Sequence, residues 1–127
     1  MIEIVLPIYW DKTKSSTVLV SMNAYRNWHY HTSNKFKKDF HELVRNQLGT
    51  DRISGPYELY LELYYKNSNC DGSNIIALME KVVLDAFQEH GIIESDTVKH
   101  HLGSSWKIIQ QDKENPRCII QIKEMNP

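Results

Sequence analysis

Tyr57-Glu58-Leu59-Tyr60-Leu61-Glu62-Leu63-Tyr64-Tyr65-Lys66 holds a period of two along its whole length, with Tyr57, Leu59, Leu61, Leu63 and Tyr65 alternating against Glu58, Tyr60, Glu62, Tyr64 and Lys66. Successive side chains of a strand point to opposite faces, so the alternation predicts a strand buried on one side. Turn residues follow, Lys66-Asn67-Ser68-Asn69-Cys70-Asp71-Gly72-Ser73. Beyond them Ile75, Ile76, Met79, Val82, Val83, Ala86 and Phe87 recur at helical spacing as far as Gly91. A period of two giving way to one near 3.6 across a turn predicts a long amphipathic helix directly after the strand.

Working outward, Ile2, Ile4 and Leu6 alternate with Glu3 and Val5 and predict a first strand ended by Pro7, with a short second strand at Thr17-Val18-Leu19-Val20. Ser21 to Thr32 has neither period and is expected as a loop dense in aromatic and hydrogen-bonding groups. Ser33 is the expected cap of a helix carrying Phe36, Phe40, Leu43, Val44 and Leu48, with Gly49 as its stop. Trp106-Lys107-Ile108-Ile109-Gln110 and Cys118-Ile119-Ile120-Gln121-Ile122 are expected as a closing pair of strands, joined by a turn over Asp112 to Arg117. The expectation is one α+β domain over residues 1–127, a small mixed β-sheet packed against two helices in the order β(β)αβαββ.

At 127 residues, with 41% hydrophobic and 24% charged residues, the chain has the composition of a globular domain and not of a disordered one. Two cysteines, Cys70 and Cys118, are too few and too far apart for a disulfide scaffold or a CxxC site. Met1 to Pro7 carries an acid where an export signal needs bases, and no apolar run approaches about 18 residues. The expectation is an intracellular, cytoplasmic protein without a membrane partner. Gly-rich phosphate cradles are absent, so no nucleotide cofactor is expected.

The net charge of −1 conceals two opposite segments. From Arg26 to Arg52, six bases against three acids leave +3; from Asp71 to Asp96, six acids against Lys81 alone leave −5. A basic helix beside an aromatic loop suits a phosphate backbone, since Lys and Arg displace counterions and aromatics stack on bases. Arg26, Lys35, Lys37, Lys38 and Arg45 are the candidate phosphate contacts, and Tyr25, Trp28 and Tyr30 either stack on bases or cover the sheet. His29 is a candidate DNA contact, and with His31 a weaker metal pair on a strand face; His100-His101 is weaker again. Cys70 is expected as a packed thiol. Clustered carboxylates are what a hard divalent cation such as Mg²⁺ requires. On the second helix Asn74, Lys81 and Asp85 fall on one stripe, where Lys81 and Asp85 could equally be a surface ion pair.

Asp71-Gly72-Ser73-Asn74, Lys81-Val82-Val83-Leu84-Asp85-Ala86-Phe87 and Gly91-Ile92-Ile93-Glu94-Ser95-Asp96 together resemble the signature of the RusA-type Holliday-junction resolvases. In that family an Asp-x-Asp-Asn run precedes a helix bearing Lys and Asp-Ala-Leu, followed by Gly and an acidic pair. Ser21-Met22-Asn23-Ala24-Tyr25-Arg26 is similar to the family's Asn-x-x-Tyr loop, and Asn115-Pro116-Arg117 precedes the last strand. The resemblance implies Asp71 and Asp96 as Mg²⁺ or Mn²⁺ ligands and as catalytic residues with Lys81. It implies Asn74 and Asp85 as orienting groups, and Asn23 and Tyr25 as DNA contacts. The implied reaction is metal-assisted phosphodiester hydrolysis in a four-way DNA junction during recombination or repair, often in a phage or prophage setting.

Two departures stand out. Ser73 occupies the place of the family's second Asp, and Ser95-Asp96 that of an acidic pair, with Glu94 a candidate replacement ligand. Lys81 lies four residues later than in the best-known form, about 1.1 helical turns, which keeps it on nearly the same face. The alternative is a catalytically inactive junction-binding relative; a third is a small interaction protein. A helix over 74–89 would hold Asp71 and Asp96 roughly 24 Å apart. The expectation is therefore a homodimer whose antiparallel helices bring Asp71 of one subunit to Asp96 of the other.

Overall fold

The computed structural model describes residues 1–125 and contains β1 (Ile2–Pro7), β2 (Tyr9–Thr13), β3 (Ser16–Leu19), α1 (Met22–Asn27), α2 (Tyr30–Arg45), β4 (Tyr57–Tyr65), α3 (Gly72–Glu89), β5 (His101–Gln111) and β6 (Arg117–Glu124). The main sheet runs β1-β6-β4-β5, and β2 and β3 form a separate hairpin. The α+β class follows the sequence expectation, and the element order does so roughly, with one strand (β2) and one helix (α1) more than expected. β4 and β5 are parallel, as a strand, crossover helix, strand unit demands, and the other pairs of the main sheet are antiparallel.

One face of the sheet carries the core. Tyr57, Leu59, Leu61 and Leu63 of β4 lie beside Ile2, Ile4 and Leu6 of β1 and Cys118, Ile120 and Ile122 of β6, all buried. Against them pack Phe36, Phe40 and Val44 of α2, spaced by four, and nine buried residues of α3 from Ile75 to Phe87. The intervening strand residues, Glu3, Glu58 and Lys123 among them, face outward. No helix among the described residues is long and apolar enough to cross a membrane.

α3 has strong stops at both ends. Asp71 caps its start, and at its close the Gly91 N–H donates to the Gln88 carbonyl (3.2 Å) and the Ile92 N–H to the Phe87 carbonyl (2.8 Å). That paired closure requires a left-handed residue, and Gly91 supplies it with φ +70°.

Several expectations are corrected. The Ser21 to Thr32 segment is not a loop but α1, capped by Ser21, followed by α2, whose cap is His29 rather than Ser33. The Ser33 N–H already donates to the His29 carbonyl at 3.0 Å, inside the first turn. α1 has six residues and buries none completely, so it shows no apolar period. Its Tyr25, with Trp28, joins Trp10 and Phe36 in an aromatic cluster with centroids 5.2–6.1 Å apart. Those two rings are packing groups, which leaves Tyr30 as the exposed member of the trio. It also places His29 and His31 at a helix start and not on a strand. Gly49 does not end α2, which stops at Arg45 with Asn46 as its cap.

β5 and β6 are not neighbours either, because β4 lies between them. The connection from Asp112 to Arg117 steps over the end of β4, where the Asp112 N–H donates to the Tyr65 carbonyl at 2.7 Å. The Arg117 guanidinium pairs with Asp112 at 2.9 Å and lies 3.9 Å from the Tyr64 ring centroid.

Candidate functional site

α3 organises the site. At its start the Asp71 carboxylate accepts from the Ser73 hydroxyl (2.8 Å) and the Ser73 N–H (3.1 Å) through Oδ1, and from the Asn74 amide (3.1 Å) through Oδ2. These bonds, the Ser73 hydroxyl foremost, hold its carboxyl below the usual range, so Asp71 is an exposed carboxylate kept charged. Ser73 and Asn74 therefore act on Asp71, the serine as a donor where a second carboxylate was expected.

Along the exposed side of α3 the Lys81 ammonium lies 3.6 Å from Asp85, an i,i+4 pair. Lys81 and Asp85, with Leu78 and Val82, face Tyr25, Phe36 and Lys37 across a shallow hollow. The Lys37 ammonium stands 6.0 Å from the centroid of the Tyr25 ring.

Past the far end of α3, Glu94, Ser95 and Asp96 sit in a loop braced from several sides. The Ser95 hydroxyl is 2.6 Å from His100 Nδ1 and 3.0 Å from the Thr97 hydroxyl, and Glu94 is 3.1 Å from His100 Nε2. The Tyr57 hydroxyl donates to the Ser95 carbonyl at 2.9 Å. Burial, reinforced by the charges of Asp96 and Glu80, pushes the Tyr57 phenol up to about 12, so it stays a donor at neutral pH. The carboxylate, imidazole, hydroxyl chain has the members of a nucleophilic relay, yet its serine is engaged by Thr97 as well as His100; what it does here is fix the loop that carries Asp96. His100 was set aside at the sequence level as a weak metal candidate. Its spacing of five and six residues from Ser95 and Glu94 is the signal that points to a loop brace.

Asp71 and Asp96 are not brought together within one chain. Eighteen residues of helix at about 1.5 Å each separate their ends by roughly 27 Å. Among the described residues no three His, Cys, Asp or Glu side chains gather as a metal-holding group. Cys70, half-buried and packed against the core, is a free thiol.

The basic candidates divide over two faces of α2. Lys37, Lys38 and Arg45 share a side and, with His41, Glu42, Glu89 and His90, line a groove of about 540 Å³ between α2 and the end of α3. Glu89 contacts His41 Nδ1 across it, and that hydrogen bond lowers the Glu89 carboxyl. The Nε2 atoms of His41 and His90 are buried without a partner among the described residues. Lys35 lies on the other side of α2, paired with Asp39 at 3.2 Å and over the Trp10 ring. Asn23 and Arg26 stand on α1, and His29 is occupied in capping α2, its Nδ1 accepting from the His31 N–H at 3.2 Å. The sequence singled out the lysines of this groove but not His90 or Glu89, which arrive from the end of α3. No protein-family model matches the chain, and no curated protein matches it.

Proposed function

We propose that the chain is a Mg²⁺-dependent, structure-selective endonuclease of the RusA type, acting as a homodimer on four-way DNA junctions. The observation that carries this reading is the disposition of carboxylates about α3: Asp71, hydrogen-bonded and charged, at its start, and Glu94 and Asp96 on a braced loop past its end. Lys81 and Asp85 lie on the exposed side between them. One chain alone does not fit the cation, because its carboxylates lie at opposite ends of the helix. Two chains related by a two-fold axis supply Asp71 from one and Glu94 and Asp96 from the other, a hard-oxygen set suited to Mg²⁺ or Mn²⁺. A bound cation of this kind supplies water activation and charge stabilisation in phosphodiester hydrolysis.

The protein's own part is to hold the DNA and keep the carboxylates charged. The groove bearing Lys37, Lys38 and Arg45 presents cations to a phosphate backbone, and Lys37 also lines the hollow that Lys81 borders. Branched DNA is then read by shape and deformability. The test is cleavage of a synthetic four-way junction against linear duplex, with and without Mg²⁺; cutting confined to the junction and to Mg²⁺ supports the proposal, and no cutting at any metal concentration overturns it.

A second reading, junction binding without cleavage, is favoured by Ser73. With the serine bonded to Asp71 and no second carboxylate beside it, that end of the site is poorer in charge than the family pattern. Binding that persists while neither Mg²⁺ nor Ser73→Asp yields cleavage selects this reading.

A further inference from the structure

β5 is the longest strand of the sheet and forms one of its two edges. An edge strand presents main-chain N–H and C=O groups without a partner, and folded proteins blunt such edges. At the opposite edge Gln47 does this, accepting from the Val5 N–H and donating to the Val5 carbonyl, both at 2.8 Å. Along β5 no side chain among the described residues bonds to the main chain between Leu102 and Gln110. Its apolar residues are also open: Leu102, Trp106 and Ile108 are 53, 41 and 48% exposed. Trp106 and Ile108 lie opposite Leu61 and Leu63 of β4, on the helix-bearing face and beside Gly72 at the start of α3.

We propose that a second copy of the chain covers this edge, the two β5 strands pairing antiparallel about a two-fold axis normal to the sheet near Ser105 and Trp106. Two four-stranded sheets become one of eight strands, with the helices of both subunits on one face. A two-fold axis in this position pairs a strand with its own copy only in the antiparallel sense, and residues then meet others of the same face, which the pleat requires. The single charge between Leu102 and Gln110 is Lys107, and with the axis at Ser105 or Trp106 it meets Gly103 or Ser105 of the partner subunit, never a like charge.

A foreign strand could satisfy the same hydrogen bonds, but a second copy also completes the carboxylate set. The start of β5 follows the Asp96 loop, and its end lies beside the end of β4 that leads to Asp71. Antiparallel pairing sets the start of one β5 beside the end of the other. Asp96 of the partner subunit then shares an end and a face of the joint sheet with Asp71, and this occurs twice per dimer. The inference deepens the proposed function by naming the surface through which its dimer forms, while the exposed edge supports it independently.

The test is sedimentation equilibrium of the full chain at micromolar concentration, with cross-linking by a short bis-maleimide in a Cys70→Ser background. Expected are a mass twice that of the chain, a shift to monomer in Ile108→Lys with unchanged far-UV circular dichroism, and covalent dimers from Ser105→Cys but not from Gln121→Cys on β6. A monomeric wild type overturns the inference, as does a dimer that survives Ile108→Lys without a cross-link at Ser105→Cys. Should Ile108→Lys fail to fold, the two cysteine variants decide alone. A dimer of this form that neither takes up Mg²⁺ nor cuts junctions leaves the edge pairing intact and removes the nuclease; junction cutting by a dimer joined elsewhere does the reverse.

Discussion

The Tyr57 hydroxyl donates to the main-chain carbonyl of Ser95 at 2.9 Å, which ties the first residue of the central strand to the loop that presents Asp96. Tyr57→Phe removes the donor while keeping the ring stacked on His101. The expected loss is about 0.5–1.5 kcal/mol, measured by urea denaturation, with faster amide exchange in residues 94–100.

The same phenol sets a limit at high pH. Its folded pKa is raised to about 12 against an ordinary value of 10.0, so the unfolded chain loses this proton first. Its contribution is complete below about 10 and declines as pH rises towards 12. Stability measured across that window should fall less steeply in Tyr57→Phe than in the wild type.

Asp71 works in the opposite direction. Its carboxyl is held below the ordinary range by Ser73 and Asn74, so its contribution is present above the unfolded value and is lost as pH falls through the depressed one. Asp71→Asn keeps a capping side chain but cannot titrate. Its thermal midpoint should converge on that of the wild type as the solution is acidified, whereas Asp71→Ala stays lower at neutral pH.

Gln47 caps the main chain of β1 with two hydrogen bonds from a residue 42 positions away. Gln47→Leu removes both and opens that edge. A loss of about 1–2 kcal/mol is expected by denaturant titration, with a greater tendency to associate. Equal stability and unchanged association would show that water replaces the amide without cost.

What the sequence disclosed follows how each segment is buried. β4 is covered on one face only, and α3 presents its apolar residues to one continuous layer, so their periods of 2 and 3.6 survive intact in Tyr57–Tyr65 and Gly72–Glu89. α1 was invisible because only Tyr25 of its six residues enters the aromatic cluster with Trp10 and Phe36, and the helix contributes no stripe of its own. β2 was missed because Trp10 alone among its residues is buried. The position of β6 between β1 and β4 is a long-range pairing, set by which edges are left open when the strands assemble, and adjacency in sequence suggested the hairpin instead. At the site, the far end of α3 was legible from Gly91, since such stops are local chemistry, whereas Asp71 was read as a turn residue and metal ligand and not as the cap it forms. The groove was half legible: the lysines come from one helix, but His90 and Glu89 join them only through the packing of α3 against α2.

The assembly of carboxylates can be tested without a further structure. If each site takes Asp71 from one subunit and Asp96 from the other, Asp71→Asn and Asp96→Asn homodimers are each inactive at both sites. A heterodimer of the two variants pairs the mutated Asp71 with the mutated Asp96 at one site and leaves the other intact. Mixed and re-equilibrated subunits should therefore recover about one quarter of the wild-type sites, because random exchange makes half of the dimers mixed and each mixed dimer holds one good site of two. Single-strand nicking of a junction then returns where neither variant alone nicks. If each chain instead built its own site, every subunit in the mixture would still carry one lesion, and activity would remain at the level of the separate variants at every mixing ratio.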